Sequence, residues 1–248
     1  MRSYTVFAIF SNVSLPRIPA LGFRMPRTSK KSKSKSSKAL PTVAVRGPMP
    51  VAVTLMLPTP LPLPFSDPEW LFEPKWDGFR AMCFVKDGQV KFVSRKRRKL
   101  TRFTELQELA ELIKAETAII DGEIVALDKS GLPSFEGLRY KHPCGATVFY
   151  AFDLLYLDGH DLSSCSLVAR KAMLKRILPK DNTGRIRYTE HIAKAGKELF
   201  KQLETLKIEG MVAKRKDSVY AFARSRSWLK IKTSAGRDEM KRRIENWS

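Results

Sequence analysis

Cysteine is scarce in this chain. Cys83, Cys144 and Cys165 are odd in number and scattered, with no CxxC pair. That argues against a zinc knuckle and fits a reducing compartment. No apolar run approaches the length of a membrane span. Acidic residues are absent from Met1 to Ser66, a transit-peptide trait. The short apolar stretch Tyr4–Phe10 after Arg2 is ended by Ser11, Asn12 and Pro16, so it makes a poor secretory signal. The preferred reading is an untidy N-terminal extension, with Met25 as an internal start candidate. Neither GxxxxGK[ST] nor GxGxxG occurs, so neither a P-loop nor a dinucleotide fold is indicated.

What is present is positive charge. The 248 residues carry a formal net charge of +21 and are 43% hydrophobic, enough for one good core or a core plus a tail. Residues 1–70 hold ten Lys/Arg and two Asp/Glu, which leaves a net +13 on the remainder. The folded part is therefore basic in its own right. A merely solvated cationic surface is the plain alternative, but a polyanionic partner such as nucleic acid is favoured.

Thr28–Lys38 is a low-complexity cationic run, expected to be disordered. Residues 41–68 are proline-rich and read as an extended strap, with the folded domain starting near Phe65. Ala81–Val85 and Gln89–Ser94 around Asp87-Gly88 predict a β-hairpin. Helical spacing runs through Phe103, Leu106, Leu109, Leu112 and Ile113. Ala118–Leu127 reads as a strand interrupted at Asp121-Gly122, and Thr147–Leu155 as a buried strand. Ser166 is placed to cap a helix carrying Leu167, Leu174 and Ile177. A further helix is expected near Gly196–Leu206, then strands at Met211–Lys214 and Trp228–Ile231. Strands and helices do not alternate strictly, so the fold class is α+β rather than a doubly wound sheet.

Five patches stand out in order: Glu73-Pro74-Lys75-Trp76-Asp77-Gly78-Phe79-Arg80, Ile120-Asp121-Gly122-Glu123, Tyr150-Ala151-Phe152-Asp153, Glu209–Lys214 and Trp228-Leu229-Lys230-Ile231-Lys232. A lone lysine is ordinarily solvated and protonated. To act as a nucleophile Lys75 needs partial burial and cationic neighbours. Trp76, Phe79 and Trp70 are candidates for an apolar wall, and Lys230 and Lys232 for the positive field. In a strand those two lysines share a face, which suits a phosphate, although a half-buried strand would show the same pattern. Glu123 and Glu209 together suit a divalent cation held partly by phosphate oxygens, but either could be a surface ion pair. Phe152 is core or a base-stacking ring. Asp87-Gly88 and Asp158-Gly159 are assigned to plain turns. The run Arg95-Lys96-Arg97-Arg98-Lys99 is a solvated loop or a phosphate-contacting one.

Taken as an ordered set, these patches resemble the covalent nucleotidyltransferases: ATP-dependent DNA ligases, RNA ligases and mRNA capping enzymes. The likeness is strongest to the ligase domain of bacterial end-joining ligases and their small stand-alone relatives. It covers roughly Pro58 to Trp247. The resemblance implies a nucleotidyltransferase (ATP-grasp-like) fold, with antiparallel sheets flanked by helices and the nucleotide site between them. It implies ATP and Mg²⁺ (or Mn²⁺), and a lysyl-AMP intermediate on Lys75. Glu73 would read the adenine amino group, and Arg80 and Arg95 would contact the ribose and the nucleic-acid phosphate side. Glu123 and Glu209 would bind metal or ribose, Phe152 would flank the adenine, and Lys230 and Lys232 would grip the α-phosphate. Arg95, Lys96, Arg97 and Arg98 would contact nucleic acid.

The family reaction ends by sealing a 5′-phosphate to a 3′-hydroxyl. The expected partner is nicked double-stranded DNA, and the expected setting the bacterial cytoplasm and nucleoid, with no membrane. Two departures stand out. Lys96-Arg97 replaces the family's usual Asn-Gly after Arg95, so that turn should differ. Only sixteen residues follow Lys232, leaving room for one helix over 236–247 but not for the family's OB-fold clamp. The implied organisation is a disordered basic, proline-rich extension over 1–57 and an adenylation domain over 58–248. The expected state is a monomer, with end-joining or repair proteins supplying the clamp. An RNA ligase-like enzyme and a decayed nucleic-acid-binding module are the alternatives. The lack of a four-cysteine zinc site weighs against an NAD⁺-dependent ligase.

Overall fold

The computed structural model describes residues 40–139 and 146–245. Its strands are β1 (Val45–Arg46), β2 (Leu57–Pro60), β3 (Trp70–Lys75), β4 (Phe79–Lys86), β5 (Gln89–Ser94), β6 (Ala118–Ala126), β7 (Thr147–Leu157), β8 (His160–Asp161), β9 (Ile186–Tyr188), β10 (Ile192–Ala193), β11 (Gly210–Arg215) and β12 (Arg224–Lys232). Among the described residues they build two sheets. The larger runs β1-β8-β7-β6-β4-β5 with β9 beside β7, and the smaller runs β10-β3-β11-β12-β2. Pairings are antiparallel except β7 with β9 and β2 with β12.

Alternation along the strands sorts the side chains. On β4 and β6, Ala81, Cys83, Val85, Ile120 and Ile124 enter a core closed by Met173, Leu174 and Ile177 of α3 (Leu167–Ile177). Ser166 Oγ accepts from Ala169 N–H at the start of that helix, the expected cap. The smaller sheet packs Phe72, Met211, Ala213 and Ile231 on Leu199 and Leu203 of α4 (Gly196–Thr205). A third cluster lies between the sheets and joins Met82, Ile119, Leu155 and Tyr156 to Trp228 and Tyr220. The described remainder includes α1 (Leu109–Leu112), α2 (Phe135–Arg139) and α5 (Ser234–Glu245).

Several expectations are met. Asp87 and Gly88 take φ of 52° and 68°, and Asp158 and Gly159 of 41° and 85°, the left-handed pairs that tight hairpin turns need. The α+β class holds, with antiparallel sheets and a cleft between them. Other expectations change. The helical spacing at 103–114 yields a 3₁₀ turn, Thr104–Glu108, and the single-turn α1, because Ile113 already has an extended ψ of 120°. Strand β6 is not interrupted at Asp121-Gly122. The irregularity lies in its partner β7, where Phe152 and Leu155 are extra residues in the register, and such bulges re-aim side chains.

The ordered fold also begins earlier than Pro58 or Phe65. Within the expected extension, Leu55 and Met56 are buried and β1 pairs with β8. The apolar side chains of this strap fill the gap between the sheets, which proline content alone does not reveal. Residues 1–39, including the basic run, lie outside the described residues. Cys83 and Cys165 are buried free thiols, and Cys144 lies outside the described residues. Among those residues no helix is long and apolar enough to cross a membrane.

Candidate active site

The cleft between the sheets is lined by Glu73, Lys75, Trp76, Arg80, Arg95, Glu123, Phe152, Lys214, Arg224, Trp228 and Lys230, with Leu57 and Pro58 at its edge. Lys75 ends β3, where the chain must cross from the smaller sheet to the larger. Gly78 permits that crossing: a Cβ there would lie 2.1 Å from the Ile124 carbonyl oxygen. Gly210 on β11 lets β12 of the same sheet come close, since a Cβ there would meet the Ile231 carbonyl oxygen at 2.2 Å. The glycines therefore answer to close backbone approach, not to turn geometry.

Lys75 Nζ is in direct contact with Glu209 Oε2, while Glu209 Oε1 takes Lys232 Nζ at 3.3 Å. Lys230 stands beside them with its pKa lowered by burial and by the positive charges of Lys75, Arg224 and Lys232. Glu123 faces this group from β6. Burial pushes its carboxyl up to about 8, against the pull of Lys75 and Arg80 and with Glu209 and Asp121 adding to the rise. Arg80 lies opposite Glu123 in the β4–β6 ladder. Its guanidinium grips Asp121 twice, Nε on Oδ1 at 3.1 Å and Nη2 on Oδ2 at 2.6 Å.

The other end of the cleft is aromatic and charged. Phe152 and Trp228 stand edge to face with centroids 6.2 Å apart. Lys214 Nζ sits 4.3 Å and 4.1 Å from their ring centres. Glu73 is buried and holds two ammonium groups, Lys171 Nζ at 2.6 Å on Oε1 and Lys214 Nζ at 2.6 Å on Oε2. Burial alone would raise Glu73, but the two lysines prevail and lower it. Lys171 also donates to the carbonyls of Thr189 and Phe152 at 3.2 and 3.4 Å. Lys214 Nζ is held by Glu73, and among the described residues it has no second acceptor. Burial lowers its pKa, with Glu73 opposing and Lys171 adding.

The structure thus brings together Glu73, Lys75, Arg80, Glu123, Phe152, Glu209, Lys230 and Lys232. Of the three expected wall residues only Trp76 lines the cleft. It stacks on Tyr150 at 4.0 Å and donates to Thr189 Oγ1 at 3.2 Å. Phe79 instead packs near Phe103 and Phe135, and Trp70 against Phe65, because each sits where its strand faces a core. Arg95 is exposed at the rim, and Lys96, Arg97 and Arg98 are exposed beyond it. The turn that replaces Asn-Gly places Arg97 at φ 58°, a conformation that costs a non-glycine residue roughly 1 kcal/mol. Arg97 N–H on the Ser94 carbonyl at 2.8 Å and Nη2 on Thr54 Oγ1 at 2.9 Å hold it there.

Sequence reasoning gave no role to Lys171, Lys214, Asp121 or Trp228. Two of these carried a signal. Trp228 shares the strand face of Lys230 and Lys232. Lys171 lies four residues after Leu167 and three before Leu174, a lysine on the apolar face of a helix. Two carboxylates, Glu123 and Glu209, face the lysine end, and the described residues contain no cluster of three metal-ligating side chains. Two carboxylates with phosphate oxygens are the usual Mg²⁺ arrangement. A carboxyl raised by burial beside a second carboxylate, and a buried ammonium against two rings, fit a metal-bound nucleotide.

A lysine stands at the centre of this cleft, in contact with one carboxylate and lined by further lysines. A family model described as the ATP-dependent DNA ligase domain matches residues 63–232, and the chain belongs to that family. It is 34% identical over 170 residues to the multifunctional non-homologous end joining protein LigD of Mycolicibacterium smegmatis, a match covering 68% of this chain and 22% of that protein. It is 30% identical over 173 residues to the SPbeta prophage-derived DNA ligase-like protein LigB of Bacillus subtilis, covering 67% of this chain and 62% of that protein. A solved structure of mycobacterial DNA ligase D complexed with ATP and MES superposes with a TM-score of 0.64 at 33% identity, over 73% of this chain and 60% of that one. The fold is that of the nucleotidyltransferase ligase domains. The chain spans about a fifth of the length of the LigD proteins it matches.

Proposed function

We propose that this chain transfers AMP from ATP to Lys75, passes it to the 5′-phosphate of a DNA nick, and seals that end to the adjoining 3′-hydroxyl. The observation that carries this reading is Lys75 and Glu209 in contact, flanked by Lys230, Lys232, Arg80 and Glu123, in a cleft whose far end is built from two rings and the Lys214 ammonium. The purine would lie against Phe152 and Trp228, with its ring edge toward Lys214 and Glu73. Both oxygens of Glu73 already hold lysines, so it would act largely by orienting those donors. Arg80 would face the ribose and phosphates, and Arg95 the nucleic-acid side.

Lys75 must lose a proton before its lone pair can attack, and Glu209 is the carboxylate in contact with it. The N–P bond forms at the α-phosphorus, the α–β oxygen bond breaks, and pyrophosphate leaves with the electron pair. Lys230 and Lys232 meet the negative charge that gathers on the α-phosphate. Glu123 and Glu209 would hold a divalent cation, Mg²⁺ or Mn²⁺, which supplies further positive charge at the phosphate oxygens. A 5′-phosphate oxygen of the nick then displaces Lys75 from the adenylate. Attack by the 3′-hydroxyl releases AMP.

The DNA would lie across the rim that carries Arg95–Lys99, which meets backbone phosphates without reading sequence. Incubation with α-labelled ATP and Mg²⁺, followed by a denaturing gel, should show label on the protein, and Lys75→Ala should remove it. Label that persists in Lys75→Ala, or none in the wild type, would overturn the reading.

A further inference from the structure

We propose that Tyr220 is a positioning residue for Arg80, acting through Asp121, and that the strap between β1 and β2 fixes the direction of its hydroxyl. This rests on the adenylyltransferase reading, since Arg80 matters only if a nucleotide fills the cleft.

A phenol oxygen both donates and accepts. Here the accepting side is taken by Met56, whose backbone N–H reaches Tyr220 Oη at 3.0 Å. The proton is thereby directed to Asp121 Oδ2, 2.6 Å away. Burial and the Asp121 carboxylate hold the phenol's pKa well above its usual value, so the donor persists across the working pH range. Asp121 is fully buried and presents its two oxygens to Arg80 Nε and Nη2. Arg80 lines the cleft, so Nη1 is the guanidinium nitrogen left for a ligand. Its carbon lies 5.3 Å from the Phe152 ring centre and 5.7 Å from that of Trp228, with the plane of the fork set by Asp121.

Besides Arg80 itself, Tyr220 is the side chain among the described residues that the Asp121 carboxylate is hydrogen-bonded to: Tyr220 comes from the segment before β12, Asp121 from β6 and Arg80 from β4. Tyr220 is wedged against Trp228 at 5.7 Å and Phe222 at 5.5 Å, which fixes where its oxygen points. The strap starts at the edge of the larger sheet, on β8, and ends at the edge of the smaller, on β12. Met56 lies where it passes between them. The hydrogen-bond line Met56–Tyr220–Asp121–Arg80 therefore runs from the strap to the wall of the nucleotide site.

Tyr220→Phe keeps the ring and removes only the oxygen. The prediction is a protein that melts as one transition, binds ATP with little change, and forms lysyl-AMP about tenfold more slowly at saturating ATP, the scale of one hydrogen bond to a charged group. Combined with Arg80→Ala, it should add nothing to the loss caused by Arg80→Ala alone, because the two act through one device. A structural role would add its cost to both backgrounds, and that result, or an unchanged rate, overturns the proposal.

A second arm needs neither activity nor a variant. In the NMR spectrum of the wild-type protein, the Tyr220 hydroxyl and the Arg80 Nε–H should each give a slowly exchanging resonance. Rapid exchange of either overturns the proposal even if Tyr220→Phe fails to fold. Should the wild type form no adduct, the functional reading fails, while this arm still decides the contact line.

Discussion

Two ammonium groups share one buried carboxylate in this protein, and the consequence can be worked out from the geometry. Glu73, Lys171 and Lys214 are each 2% exposed, so the cluster carries one surplus positive charge. Glu73→Gln would leave both lysines facing a neutral amide. Breaking a buried pair costs about 3–5 kcal/mol. The alternative is to deprotonate a lysine, which at pH 7 costs about 4.6 kcal/mol from an ordinary pKa near 10.4.

Both routes give a loss of about 3–5 kcal/mol, much of the stability of a typical domain. The second route predicts that the loss shrinks by up to about 1.4 kcal/mol per pH unit toward pH 10. Lys214→Met removes the surplus buried charge and leaves Glu73 paired with Lys171, so stability should be unchanged or rise by about 1–2 kcal/mol. Lys171→Met should cost about 2–3 kcal/mol, because the carbonyls of Thr189 and Phe152 lose their donor. Urea unfolding at pH 7 and pH 9 measures all three. The reasoning is refuted if Lys214→Met is as damaging as Glu73→Gln, or if the Glu73→Gln loss does not change with pH. A Lys214→Met protein that folds well but charges poorly with AMP would place that lysine's value in the ligand and not in the fold.

Replacing Lys230 and Lys232 by Ala should leave the melting temperature near wild type, since both side chains are only half-buried, and cut adduct formation by about a hundredfold. Equal loss of fold and activity would contradict their role at the phosphate. Neutralising Lys96, Arg97 and Arg98 together should flatten the salt dependence of DNA binding by up to about three units of slope, and an unchanged slope would acquit the loop. His191 is held down to about 4, by burial first and then by Lys171, with Glu73 opposing. Its stabilising contribution is present above its unfolded value near 6.5 and is lost as pH falls toward 4. His191→Gln should therefore lose about 2 kcal/mol less stability than wild type between pH 7 and pH 5.

The sequence by itself determined the strands β4 to β7, β11 and β12, the helices α3 and α4, the hairpin turns and the ordered set of chemistry-bearing residues. These are local matters: alternation of period two, helical spacing, a serine cap at Ser166 and Asp-Gly dipeptides that accept positive φ. It also exposed Lys75, because a lysine fixed within an apolar, turn-forming segment is unusual wherever it occurs.

Only the tertiary structure decided what each charge faces. Glu73 meets Lys171 and Lys214 across 98 and 141 positions of chain, and Asp121 meets Tyr220 across 99. Such pairings follow from sheet register and from which strand faces the cleft. The bulge at Phe152 shows the same limit, since an extra residue in β7 has meaning only against β6. The strap does too. Its prolines announce extended chain, but Leu55 and Met56 become structural because two sheets leave a gap of the right shape, and burial is a property of that gap rather than of the residues that fill it.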